Sequence, residues 1–332
     1  MWIDSIPKVE LHCHLDGSIP ADVLLQLCRK GMVRVPQARE DFLKLVRADE
    51  ECGSLAGYLK SFEIPLRCLK SEEAFYQAAY HTACAASGEN VRYMEIRFAP
   101  LLSASDALPA QAVIEAVAAG LSRARTETGI ICAILLCGMR QFTDEMNLKN
   151  LELAKAYLGK GVAGVDLAGD EAAYSNELFR EYFAKAGEAG IPFTIHSGEC
   201  GRARNIELAV EYGAARVGHG IAMRGNPRLQ ELCREKHVGV EMCPKSNLQT
   251  GAVAGIGEYP LREFLDNGLL VSLNTDNRTV TGTTVSQELG LMEEHFRLTK
   301  EEGKAVMKNA IRTSFADQWT KEKIAREIDS WE

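Results

Sequence analysis

His12 and His14 close the first strand-like run, Val9-Glu10-Leu11-His12-Cys13-His14-Leu15-Asp16-Gly17. Alternate side chains of a strand share a face, so both imidazoles aim the same way. Two imidazoles aimed together are half of a zinc-type metal site. Three further segments offer the remainder: His196-Ser197-Gly198-Glu199, Gly218-His219-Gly220 and Asn274-Thr275-Asp276-Asn277. A lone histidine at a strand end is more often a hydrogen-bonded core residue than a ligand. Here four of the seven histidines, with Asp276, fall at the ends of apolar runs, and that set is what favours a metal. His81, His237 and His295 sit in helical or loop contexts and read as surface residues.

Three imidazoles and a carboxylate suit zinc better than calcium or magnesium, which want mostly oxygen. Such an ion lowers the pKa of a water and makes a nucleophile. The reaction then needs proton carriers, and Glu199 and His219 are placed to be them. Solvation at the surface is the competing reading for Glu199. Gly198 and Gly201 beside it permit close backbone approach to a substrate, which favours function. A bridging lysine late in the fourth run would signal a dinuclear site. Val162-Ala163-Gly164-Val165-Asp166-Leu167 has none, so one metal is expected. The PCxxC element of cytidine deaminases is also absent.

Something must hold these residues together. Eight short apolar, β-branched runs recur: 9–14, 91–98, 130–136, 162–167, 191–195, 215–218, 238–242 and 269–273. Helical patterns separate most of them, as in 110–128, 149–159, 175–187, 206–212, 227–235 and 261–267. Strand and helix alternating eight times predicts an α/β fold, a parallel (β/α)8 TIM barrel. An open doubly wound sheet would want a glycine-rich phosphate turn after the first run, where this chain carries His12-Cys13-His14. The stretch of about 19–90 reads as a helical insert after strand one that caps the C-terminal face, where barrel active sites lie. Closing helices follow Thr299. The whole chain, 1–332, reads as a single barrel domain.

Composition bounds the partners. The 332 residues carry 46% hydrophobic and 25% charged residues and a net charge of −8. An acidic, unblocked surface argues against nucleic acid or an anionic membrane. The 10 cysteines are dispersed, without CxxC, which fits a reduced cytoplasm. No signal peptide or transmembrane run is read. A monomer or small homo-oligomer is expected.

These motifs resemble those of adenosine deaminases in the amidohydrolase superfamily. The likeness runs over nearly the whole chain, from Pro7-Lys8-Val9-Glu10-Leu11-His12 to Ser272-Leu273-Asn274-Thr275-Asp276. It includes Leu15-Asp16-Gly17-Ser18, Tyr93–Pro100, Leu167-Ala168-Gly169-Asp170-Glu171, Arg216-Val217-Gly218-His219-Gly220 and Cys243-Pro244-Lys245-Ser246-Asn247. The resemblance implies zinc-dependent hydrolytic deamination of adenosine and 2′-deoxyadenosine, with one zinc per chain on His12, His14, His196 and Asp276. It implies that His219 orients and helps deprotonate the attacking water and that Glu199 protonates purine N1. Gly169 then serves N3, Asp16 a ribose hydroxyl, and Leu55, Tyr58 and Phe62 an apolar lid, with His14 also beside the substrate. Two positions depart from the family: Ser197 stands for a usual alanine, and Asn277 for a second Asp that contacts purine N7. N7 is an acceptor, so a neutral amide can serve it without titrating.

Rival readings follow from the same residues. Relatives acting on free adenine tend to carry Glu where Asp16 stands. A modified adenosine would be set by lid shape. A nucleotide would want cations, and Arg202, Arg204 and Arg278 read as rim residues. A metal phosphoesterase would need more ligands, and a non-catalytic binding protein would be expected to lose Glu199 or a ligand.

Overall fold

The computed structural model describes residues 2–49, 52–200 and 202–332; Gly201 therefore lies outside the described residues. Among the described residues, eight strands form two parallel four-stranded runs: β1 Lys8–His14, β2 Val91–Phe98, β3 Ile131–Met139 and β4 Val162–Ala168, then β5 Thr194–Ser197, β6 Arg216–His219, β7 Gly239–Met242 and β8 Leu270–Leu273. Single bridges close both gaps, Val165 to Phe193 between β4 and β5 and Cys13 to Asp276 beyond β8. The result is a closed parallel barrel. Its strands are buried on both faces, which is why they read as near-continuous apolar runs.

Helices follow the strands in turn, among them Ala110–Thr128, Asp144–Tyr157, Ala203–Glu211 and Pro227–Glu235. Several are started by side-chain caps, as where Thr143 accepts from the Met146 N–H and Thr299 forms a reciprocal capping box with Glu302. The stretch of about 19–90 divides in two. Helix Glu72–Gly88 packs along Ala110–Thr128 in the outer layer, whereas Leu55–Leu59 and Glu63–Cys68 lie over the C-terminal mouth, where Leu55, Tyr58, Phe62 and Leu66 line the cavity. Helices Lys300–Thr313 and Gln318–Ser330 end the chain. No helix among the described residues is long and apolar enough to cross a membrane.

The inside of the barrel is not apolar throughout. Inward positions of the strands carry Glu95, Arg97, Asp166, Arg216 and Glu241, all buried. Arg97 donates to Asp166 and to Glu241, at 2.8 Å each. Arg216 pairs with Glu241 at 2.5 Å and with Glu95. Buried charges persist only when paired and hydrogen-bonded, and every member of this ladder has its counter-charge.

Candidate active site

The ladder supports the metal-ligand cluster. His12, His14, His196 and Asp276 converge, with their ligand atoms all within 4.8 Å of one another. His14 Nε2 and His196 Nε2 are 3.1 Å apart, and Asp276 Oδ1 lies 3.3 Å from His12 Nε2 and 3.4 Å from His14 Nε2. The outer atoms are already committed. His12 Nδ1 meets Glu241 at 2.8 Å, His196 Nδ1 meets Asp166 at 2.9 Å, and Asp276 Oδ2 accepts from the Ser246 hydroxyl at 2.6 Å. Fixing one ring nitrogen this way presents the other as the ligand. His12 Nε2 is accordingly buried without a hydrogen-bond partner. Burial drives the His14 pKa well below its ordinary value, which keeps that ring neutral. Burial works against the Asp276 carboxylate, but His12 and its neighbours hold its pKa well below the usual range. A neutral His14 imidazole, an ionised Asp276 carboxylate and a buried orphan nitrogen on His12 fit a bound metal ion.

Backbone geometry delivers two of these groups. Asp276 does not end β8 as expected; the strand stops at Leu273. Asp276 is tied to β1 instead, donating its N–H to His12 O at 2.9 Å and accepting from the His14 N–H at 2.8 Å. It and His219 are both in the left-handed region, at φ 61° and φ 64°. Such backbone is uncommon outside glycine and collects at functional sites. On β6 the inward positions are Arg216 and Gly218, so the left-handed turn at His219 is what re-aims its ring into the cavity. Gly218 gives the room, since a Cβ there would meet His12 Cε1 at 3.0 Å and the His196 Cα at 3.2 Å.

Glu199 and His219 face each other at 3.6 Å beside the cluster. Asn247 meets His219 Nδ1 at 2.9 Å, which leaves Nε2 toward Glu199. Both open on a cavity of about 460 Å³ that also meets His14, Asp16, Gly169 and Asn277. That size is ordinary for a small-molecule site. Burial pushes the Asp16 carboxyl up to about 6, and its Oδ1 is buried without a partner. Ser197, the unusual residue beside His196, accepts from Asn176 at 2.9 Å. His237 and His295 are exposed and His81 half-buried, away from the cluster.

Two expectations change. Tyr58 is not only an apolar lid residue: its phenol shares a hydrogen bond with Thr281 at 2.6 Å and accepts from Asn277 Nδ2 at 2.8 Å. Arg278 is not a rim cation. It is buried in ion pairs with Glu10, at 2.7 Å, and Glu89. Arg204 pairs with Glu207 and Glu211, and Arg202 donates to the Ala172 carbonyl. No lysine or arginine lines the cavity among the described residues. Sequence reading passed over Asp166, Glu241 and Arg97 as functional residues. Their signal was a charge at an inward position of an otherwise apolar strand.

The adenosine deaminase family model matches residues 7–331. The chain belongs to the adenosine deaminase family. An adenosine deaminase from Enterococcus faecalis is 39% identical over 327 residues, covering 98% of this chain and 97% of that one. Among solved structures, an amidohydrolase from Burkhoderia ambifaria with bound Zn is 26% identical, with a TM-score of 0.89 over 99% of this chain and 92% of that one. The N6-methyl-AMP deaminase of Arabidopsis thaliana is also 26% identical, with a TM-score of 0.86 over 99% of this chain and 98% of that one. The three histidines and the aspartate are the metal site of this family member.

Proposed function

We propose that this chain converts adenosine and 2′-deoxyadenosine to inosine and 2′-deoxyinosine with release of ammonia. It acts as one hydrolase unit, with the helices over the mouth as its cap. The observation that carries this reading is a metal-ligand cluster and a facing Glu199–His219 pair on one cavity whose described lining residues include no lysine or arginine. The ion is zinc, one per chain, favoured by the three-nitrogen, one-oxygen donor set and by the Zn-bound relative. When bound, zinc supplies Lewis-acid activation of water.

The protein's own groups do the rest. His219 orients the attacking water through Nε2 and takes up its proton. Glu199, in its acid form, gives a proton to purine N1 and makes C6 electrophilic. Gly169 presents its backbone to N3. Asp16, with an unpaired buried oxygen, accepts from a ribose hydroxyl. Leu55 and Phe62 exclude water above the base, which strengthens these polar terms. The absent cations argue against a nucleotide like that of the N6-methyl-AMP deaminase, because a phosphate needs charge-assisted donors. Asp16 favours the nucleoside over free adenine.

A panel of adenosine, 2′-deoxyadenosine, adenine, AMP and N6-methyl-AMP, read by the change in purine ultraviolet absorbance, tests the assignment. The nucleosides should turn over fastest. Faster turnover of either monophosphate or of adenine would overturn the substrate assignment.

A further inference from the structure

Glu199 is buried, yet its side chain is thinly held. Its carboxylate faces His219 at 3.6 Å, and no hydrogen bond fixes it among the described residues. What is fixed is the backbone that carries it. The buried carboxylate of Glu171, on the loop after β4, accepts from the N–H of Gly198 at 2.7 Å, of Glu199 at 3.0 Å and of Cys200 at 3.1 Å. Its Oε1 also accepts from the Asn205 amide at 2.9 Å. One carboxylate thus gathers three consecutive backbone donors, plus the first turn of helix Ala203–Glu211. Hydrogen bonds to an ionised acceptor are about twice as strong as neutral ones.

The loop conformation needs that hold. Gly198 is left-handed at φ 78°, and a Cβ there would meet Ile206 Cδ1 at 2.4 Å. The chain therefore turns sharply one residue after Ser197, and the direction of the turn decides where Glu199 points. Glu171 does not line the cavity. Its contacts run to the loop and to Asn205, which in turn accepts from the Asn176 N–H at 3.0 Å.

We propose that Glu171 is the positioning residue of Glu199: it sets the loop so that the Glu199 carboxyl faces the purine edge beside His219. This rests on Glu199 being the proton donor. The mechanism predicts a distinctive pattern, because a residue acting only through Glu199 has nothing to lose once Glu199 cannot donate a proton.

The test is a cycle of Glu171→Gln, Glu199→Gln and the double variant, with kcat, KM for adenosine and zinc content measured for each. Glu171→Gln should lower kcat by up to about 10²-fold, the cost of a misplacement near 1 Å. KM should change little and zinc should remain. Glu199→Gln should lower kcat by about 10²–10⁴-fold with zinc retained. The double variant should be no slower than Glu199→Gln alone, the non-additivity of groups that act as a unit. Glu171→Asp, which keeps the charge, should recover part of the loss.

Multiplying losses in the double variant, or a Glu171→Gln enzyme with unchanged kcat, would overturn the positioning role while leaving Glu199 as the acid. Near-normal turnover of zinc-loaded Glu199→Gln would overturn the acid assignment and this inference with it. If Glu171→Gln does not fold, the same comparison made with Glu171→Asp, alone and with Glu199→Gln, decides the question.

Discussion

The side-chain amide of Asn277 donates to the phenol of Tyr58 at 2.8 Å, joining the residue after a metal ligand to helix Leu55–Leu59 over the barrel mouth. One amide hydrogen is thereby used, and a second remains. That second hydrogen is expected to serve purine N7. With 7-deazaadenosine, which has carbon in place of the acceptor, kcat/KM should fall by an amount worth about 1–3 kcal/mol, the cost of an unpaired buried donor. Equal processing of the two nucleosides would remove Asn277 from purine recognition.

Removing a ligand should remove both metal and rate. His196→Ala leaves the carboxylate of Asp166 without its ring partner and the cluster with three ligands. Elemental analysis should find one zinc per chain in the parent protein and little in the variant, with activity lost in parallel. Two tightly held metals in the parent would refute the mononuclear reading.

Asp16 should separate nucleoside from base. If its unpaired oxygen accepts from a ribose hydroxyl, Asp16→Ala should cost about 1.5–3 kcal/mol on adenosine, the range for a hydrogen bond to a charged group. Residual activity on adenine should barely move. Equal losses on both substrates would mean that Asp16 serves the cluster instead.

Glu288 should make folding stability depend on pH. Burial raises its carboxyl from an ordinary 4.5 to about 7. Between those values the folded chain binds more protons than the unfolded one, so this group lowers stability as pH rises from 4.5 through 7. A tenfold difference in proton affinity between the folded and unfolded chain is worth about 1.4 kcal/mol. Glu288→Gln keeps an acceptor for the Lys245 N–H and cannot ionise. Its urea midpoint should match the parent near pH 5 and exceed it near pH 8. A difference that does not grow with pH would contradict this.

The barrel and the four ligands were legible because both are periodic: strand ends recur, and so do the residues on them. What escaped was non-local. Glu95, Arg97, Arg216 and Glu241 have no partner visible in the sequence; only closure of the barrel puts them face to face. Arg278 follows a ligand on a loop and read as rim, but its partners Glu10 and Glu89 come from β1 and the end of helix Glu72–Gly88. Glu171 stood in a recognisable motif without a visible task, because the loops after β4 and β5 meet only in the folded chain.

The bond pattern between His12, His14 and Asp276 has a consequence for biosynthesis. The first and last strands of the barrel meet at this seam, and two of the four ligands stand on one side and one on the other. A nascent chain can display His12 and His14 early, yet it holds no complete metal centre until residue 276 has cleared the ribosome. The full ligand set therefore exists only once the barrel has shut, and a chain cut short before β8 should bind the metal far more weakly than the whole one.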